Sequence, residues 1–142
     1  MPSPIQQKIN TRLLLTQVVY QHRVRGQALP LVAQEYALHH IAPKPHHYDR
    51  PFYDVMMAYL TDNTSAVAQT LGQYETDAWR YERMDLVLMG ILMVGTAELL
   101  CQPQTPTSVI LNEYIELTKD FLTDKDAKFV HVILDKVAAG RG

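Results

Sequence analysis

Only one cysteine occurs in the 142 residues, Cys101. No internal disulfide can form, which points to a reducing, cytosolic setting and away from a disulfide scaffold. Glycine is scarce, six residues in all, and no glycine-rich loop that would cradle phosphates is present. No window alternates apolar and polar residues long enough for a convincing strand. The longest charge-free apolar run, residues 86–97, falls short of the roughly 18–20 residues that cross a membrane, and reads as a buried core helix. The opening MPSPIQQKINTR lacks the apolar stretch of a signal peptide. No repeat, low-complexity tract or long linker divides the chain. Acid is missing from residues 1–34, which carry Lys8, Arg12, Arg23 and Arg25; Glu35 is the first carboxylate. The remainder holds nine basic against fifteen acidic residues, a net of −6. This asymmetry suggests an anion-facing end and an acidic remainder suited to a basic partner.

What remains is helix. Hydrophobic residues make up 47% of the chain, enough for a core at this length. A first helix is expected from about Gln6 to Arg25, burying Leu14, Leu15, Val18 and His22 and stopping at Gly26. A second covers about Pro30 to His40, before Pro43 and Pro45 break the pattern. A third runs from about Pro51 to Leu60, with Phe52, Val55, Met56 and Tyr59 inward, and a short fourth from Ser65 to Tyr74 carries Val67 and Leu71. The fifth, about Trp79 to Cys101, is apolar on nearly all sides and therefore central. Gly90 and Gly95 within it let neighbours approach closely. Thr107 or Ser108 caps a sixth helix ending near Phe121. Thr123 followed by Asp126 reads as a variant capping box for a seventh, through Ala138. The break near Asn63 divides possible helical subdomains, about 1–62 and 63–142, within one domain of 1–142.

Two faces attract attention. On the last helix Ala127, Val130, Leu134 and Val137 form one apolar stripe, while Phe129 and Val132 lie off it beside Lys125, Lys128 and Lys136. An aromatic among lysines suits single-stranded RNA, whose bases stack and whose phosphates meet ammonium groups; it is equally compatible with ordinary core. On the first helix Lys8, Arg12, Thr16 and Arg23 share a narrow arc edged by Tyr20, roughly opposite Leu14 and Val18. The two faces would merge into one groove if the terminal helices were neighbours. Catalysis and metal binding find less support. The pairs His39-His40 and His46-His47 could ligate zinc, but adjacent histidines diverge on a helix and no Cys or spaced carboxylate completes a site. Cys101 with a distant His is a formal nucleophile–base pair, although a thiol ending an apolar helix reads as buried and inert.

Residues 109–139, VILNEYIELTKDFLTDKDAKFVHVILDKVAA, resemble the C-terminal signature of the NusB family, in which I-N-E-A and E-L-A-K-x-F precede K-F-V-N-G and L-D-K. Residues 12–21, RLLLTQVVYQ, are similar to that family's opening helix, and residues 52–60 fall where a similar apolar helix occurs. The resemblance implies an all-α fold of about seven helices in two packed bundles. It implies a non-enzymatic, cofactor-free transcription antitermination factor of the bacterial cytoplasm. Such a protein binds boxA-type RNA together with NusE, a small-subunit ribosomal protein, and supports RNA polymerase on ribosomal RNA operons. Carried over residue by residue, RNA contacts fall on Lys8, Arg12, Gln17, Tyr20, Lys128 and Phe129, with His131 standing where the family has Asn. Glu82 and Asp85 would meet the basic partner. The chain departs from the family at His131-Val132, in place of Asn-Gly, and at Met93, often Arg. Its N-terminal segment has fewer arginines than is usual. These changes predict weaker or altered RNA binding. The alternative is an interaction or homodimerisation module using an apolar patch around Phe129 and Val132.

Overall fold

A computed structural model describes residues 2–75 and 85–141. Among them are six α-helices and no strand. The first, α1 (Pro4–Arg25), starts where Ser3 accepts the Gln6 N–H at 3.1 Å and Pro4 needs no hydrogen-bond partner for its nitrogen. It stops where Gly26, at φ 70°, turns left-handed and donates back to the His22 carbonyl. Leu14, Leu15 and Val18 are buried as expected, whereas His22 is only half-buried.

The next helix, α2 (Leu29–Tyr36), runs on into one π-helical turn, Ala37–Ile41, closed by the Ala42 N–H on the Ala37 carbonyl at 2.8 Å. The proline-rich loop that follows is stitched to α1. Gln7 donates to the His46 carbonyl at 2.8 Å, Asn10 to the His47 carbonyl at 2.9 Å, and the Asp49 N–H to Thr11 Oγ1 at 2.9 Å.

Capped by Asp49, α3 (Arg50–Gly72) joins what read as two separate helices, so seven expected helices become six. The break expected near Asn63 is a kink within α3, at φ −128° and ψ 23°. There the side chains of Asn63 and Thr64 bind the Tyr59 and Leu60 carbonyls, competing with the helix's own bonds. Its buried stripe is Phe52, Tyr53, Met56, Met57 and Leu60. Val55, expected inward, is 49% exposed, and Tyr59 is half-buried. It packs on α4, α1, α2 and α6, with the Tyr53 hydroxyl donating to the Ala33 carbonyl of α2.

At the centre lies α4 (Leu86–Cys101), in which every residue from Leu88 to Leu99 is buried. The expected start of this helix at Trp79 lies outside the described residues. Around α4 pack α1, α3, α5 (Thr107–Phe121) and α6 (Asp124–Ala139). Both glycines mark close approaches. A Cβ on Gly90 would sit 3.3 Å from the Thr16 carbonyl oxygen, and one on Gly95 would sit 2.9 Å from Leu134 Cδ1 and 3.3 Å from Tyr114 Cγ. Thr107 does not cap α5; it is already helical, and its hydroxyl accepts from Arg141 at 2.9 Å. The capping box of α6 is present in both directions, Asp126 N–H to Thr123 Oγ1 at 3.1 Å and Thr123 N–H to Asp126 Oδ2 at 3.2 Å. The stripe Ala127, Val130, Leu134 and Val137 is buried, joined by Ile133. No helix is long and apolar enough to cross a membrane among the described residues.

Candidate nucleic-acid interface

The expected cationic arc on α1 is not a solvated strip. Arg12 is 5% exposed, and Thr16 beside it is equally buried. The arc faces α4, and the guanidinium grips Glu98 in a fork, Nε to Oε1 at 2.9 Å and Nη2 to Oε2 at 2.8 Å. The Tyr114 hydroxyl donates to Glu98 Oε1 at 2.6 Å, and Glu113 lies 3.8 Å from Arg12 Nη1. Two charges withdrawn from water need this degree of mutual satisfaction to be tolerated. Burial works against the Arg12 charge, but the bonds and charge of Glu98 more than offset it and raise its pKa. Burial, followed by the Glu98 charge, pushes the Tyr114 phenol well above its usual range and keeps it a donor. Arg12, expected to meet a phosphate, is buried here and spends its guanidinium on Glu98. Lys8 sits half-buried with its Nζ 5.2 Å from the Phe52 ring centre, and Arg12 flanks the same ring at 5.5 Å. Arg23 reaches towards Met93 Sδ at 4.0 Å, with Met93 itself buried.

Gln17 and Tyr20 do share a site. With Leu13 and Thr16 of α1, Val87 and Ile91 of α4, and Leu117 and Phe121 of α5, they line an apolar groove of about 170 Å³. Phe121 stands at its lip, 55% exposed. The sequence reading missed Phe121, although it lies four residues beyond Leu117 on one side of α5 and falls on the final Phe of the E-L-A-K-x-F segment. A second groove, about 420 Å³, lies between α5 and α6 and is lined by Ile115, Lys119, Asp124, Ala127, Lys128 and His131. Lys128 and His131 are exposed, one turn apart.

The two grooves do not merge. Both α1 and α6 pack on α4. Two positions along a helix reverse the face, so α5 turns Leu117 and Phe121 to one groove and Ile115 and Lys119 to the other. Phe129 lines neither groove. One step along a helix turns the side chain by about 100°, so Phe129 points away from Lys128 and packs half-buried at the edge of the core. Val132 beyond it is 52% exposed.

Of the two acids expected to meet a protein partner, Glu82 lies outside the described residues. Asp85 is exposed but spends one carboxylate oxygen capping α4, accepting the Val87 and Leu88 N–H groups at 2.8 and 3.2 Å. Among the described residues no group of three His, Cys, Asp or Glu side chains is placed to hold a metal. Cys101 is half-buried, its Sγ 3.5 Å from Met56 Sδ, and burial pushes its thiol pKa up, opposite to what a nucleophile needs.

The model of the NusB family matches residues 9–139. The transcription antitermination protein NusB of Maricaulis maris is 30% identical over 134 residues, 91% of this chain and 84% of that protein. Its namesake in Caulobacter vibrioides is 27% identical over 94% of this chain and 93% of its own length. Among solved structures, NusB of T. maritima superposes with a TM-score of 0.79 at 25% identity, covering 98% of this chain and 93% of that one. Six helices in the same all-α arrangement and a match over nearly the whole chain give one conclusion: the chain belongs to the NusB family.

Proposed function

We propose that this protein is a transcription antitermination factor. In this reading it binds single-stranded boxA-type RNA stoichiometrically in the bacterial cytoplasm, together with a NusE-type ribosomal protein, and supports processive transcription of ribosomal RNA operons. The observation that carries the reading is the pair of grooves on either side of α5, one apolar with Tyr20 and Phe121 at its walls, the other lined by Lys119, Lys128 and His131. Stacking platforms beside cations are what single strands require. Gln17 adds an amide beside the stacking groove, and Lys8 a further cation on α1. Arg12 supports the site from beneath by fixing α1 to α4, and Phe129 supports α6. Glu82 and Asp85, near the start of α4, are assigned to the basic protein partner.

A salt titration of boxA-type RNA binding tests this. Each phosphate contact contributes roughly −0.7 to the slope of log K against log salt for a single strand. Replacing Lys128 with Gln should reduce the slope by about one such increment. Phe121→Ala should weaken binding about 5- to 100-fold, equivalent to the roughly 1–3 kcal/mol that stacking contributes per base, and leave the slope unchanged. A well-folded protein that ignores the RNA would instead favour a homodimerisation module, with the patch around half-buried Phe129 and exposed Val132 as its apolar surface.

A further inference from the structure

The α5–α6 groove contains the residue at which this chain departs from its family's motif. We propose that the groove is a proton-linked phosphate site, in which His131 takes up a proton as RNA binds. The proposal rests on the antitermination reading above and adds the chemistry of one subsite to it. Lys119 from α5 and Lys128 and His131 from α6 line the same groove.

Their surroundings leave it close to charge balance. Asp124 lines the groove, and Glu116, on α5, lies 3.5 Å from Lys119 Nζ. Asp135 follows His131 by one helical turn. The other packed elements bring little charge: α4 contributes Glu98, engaged by Arg12 and Tyr114, and Cys101, beside Met56. Just beyond the end of α3 lies Tyr74, whose hydroxyl donates to the Lys136 carbonyl at 3.2 Å, followed by Glu75. Lys119 and Lys128 thus face Asp124, Glu116 and Asp135, and a cationic ring at position 131 would bring the groove to balance.

No hydrogen bond or ion pair within the described residues occupies the His131 ring. A neutral imidazole offers one donor and one acceptor, and the acceptor repels a phosphate oxygen; the protonated ring offers two donors. A phosphodiester seated here therefore favours the cationic form, and by linkage RNA affinity rises as pH falls through the imidazole range. The first turn of α6 cannot substitute for this charge, because Thr123 and Asp126 already close it as a capping box. The family's Asn at this position carries no proton to exchange, so the linkage belongs to this chain.

The test is the affinity of the full-length protein for one boxA-type oligoribonucleotide at constant ionic strength, between about pH 8 and about pH 5.5. Wild-type affinity should rise about tenfold across that range. His131→Asn should bind with a profile flat to within about twofold; His131→Lys should bind tightly and equally flat. Because the RNA and the other five histidines are unchanged in these variants, they absorb any unrelated pH dependence. Calorimetry in buffers of different ionisation enthalpy should show proton uptake for the wild type and none for His131→Asn. A wild-type profile that is flat while binding persists, or a slope retained in His131→Asn, overturns the proposal and leaves the antitermination reading standing. Absence of RNA binding at every pH by protein with full helical circular dichroism overturns both.

Discussion

Arg12 and Glu98 stand 86 positions apart and meet as a buried ion pair, with Tyr114 completing the acceptor side. Removing one partner of such a pair is expensive because the other is left charged and dry, whereas the intact pair adds little over apolar packing. Glu98→Ala should therefore cost about 3–5 kcal/mol in urea unfolding. Tyr114→Phe removes one charge-assisted bond and should cost about 1.5–3 kcal/mol near neutral pH. Tyr114 also carries a pH signature. Its pKa is raised in the fold, so its contribution is complete below the ordinary tyrosine value of 10.0 and is lost as pH rises above it. Tyr53, pushed up to about 12 by burial as its hydroxyl donates to the Ala33 carbonyl, acts in the same direction. Unfolding curves taken on both sides of that value should show a smaller alkaline loss in Tyr114→Phe than in the wild type. Equal losses would remove the tyrosine from the account.

The element on which everything rests is α4. Burial from Leu88 to Leu99 means that its neighbours, not its own propensity, hold it. Gly95 illustrates the trade. Alanine in an exposed helix would gain about 1 kcal/mol over glycine. Here the added methyl would enter the space of Leu134, which is fully buried, and of the Tyr114 ring. Overpacking costs about 1–3 kcal/mol, so Gly95→Ala should be destabilising overall, by about 1 kcal/mol, read as a lower urea midpoint with an unchanged slope. A more stable variant would mean that α6 yields more easily than its packing indicates.

At the scale of the whole molecule, α5 acts as a partition. It gives Leu117 and Phe121 to the groove of Gln17 and Tyr20, and Lys119 to the groove of Lys128 and His131. Side chains that share no partner have additive effects, usually within about 0.3–0.5 kcal/mol. The RNA-affinity losses of Tyr20→Ala and Lys128→Gln should thus sum in the double variant, whereas Tyr20→Ala and Phe121→Ala, which share a groove, should not. A coupling of more than about 0.5 kcal/mol between Tyr20 and Lys128 would mean that the RNA sees one surface rather than two.

The sequence alone determined the helices, because periodicity, caps and breakers are local. Gly26 ends α1, whose start reads at about Gln6 and lies at Pro4; Thr123 and Asp126 close α6; the unbroken apolar run of α4 announces the centre. It also carried the family motif, and with it Gln17, Tyr20, Lys128 and His131 as candidates. It read two helices where Asn63 only kinks one, because side-chain competition for a carbonyl looks the same in sequence whether or not neighbours carry the helix across it. Only the tertiary structure decided what each face meets. The arc of Lys8, Arg12 and Thr16 reads as solvated because cations usually are; Arg12 at its middle is buried because Glu98, far away in the chain, supplies the countercharge. Phe129 packs half-buried at the edge of the core while Phe121 stands at the lip of a groove, for the same reason. Helical rotation sets where a side chain points, but only the packing of α1, α5 and α6 around α4 decides whether that direction holds core or an open groove.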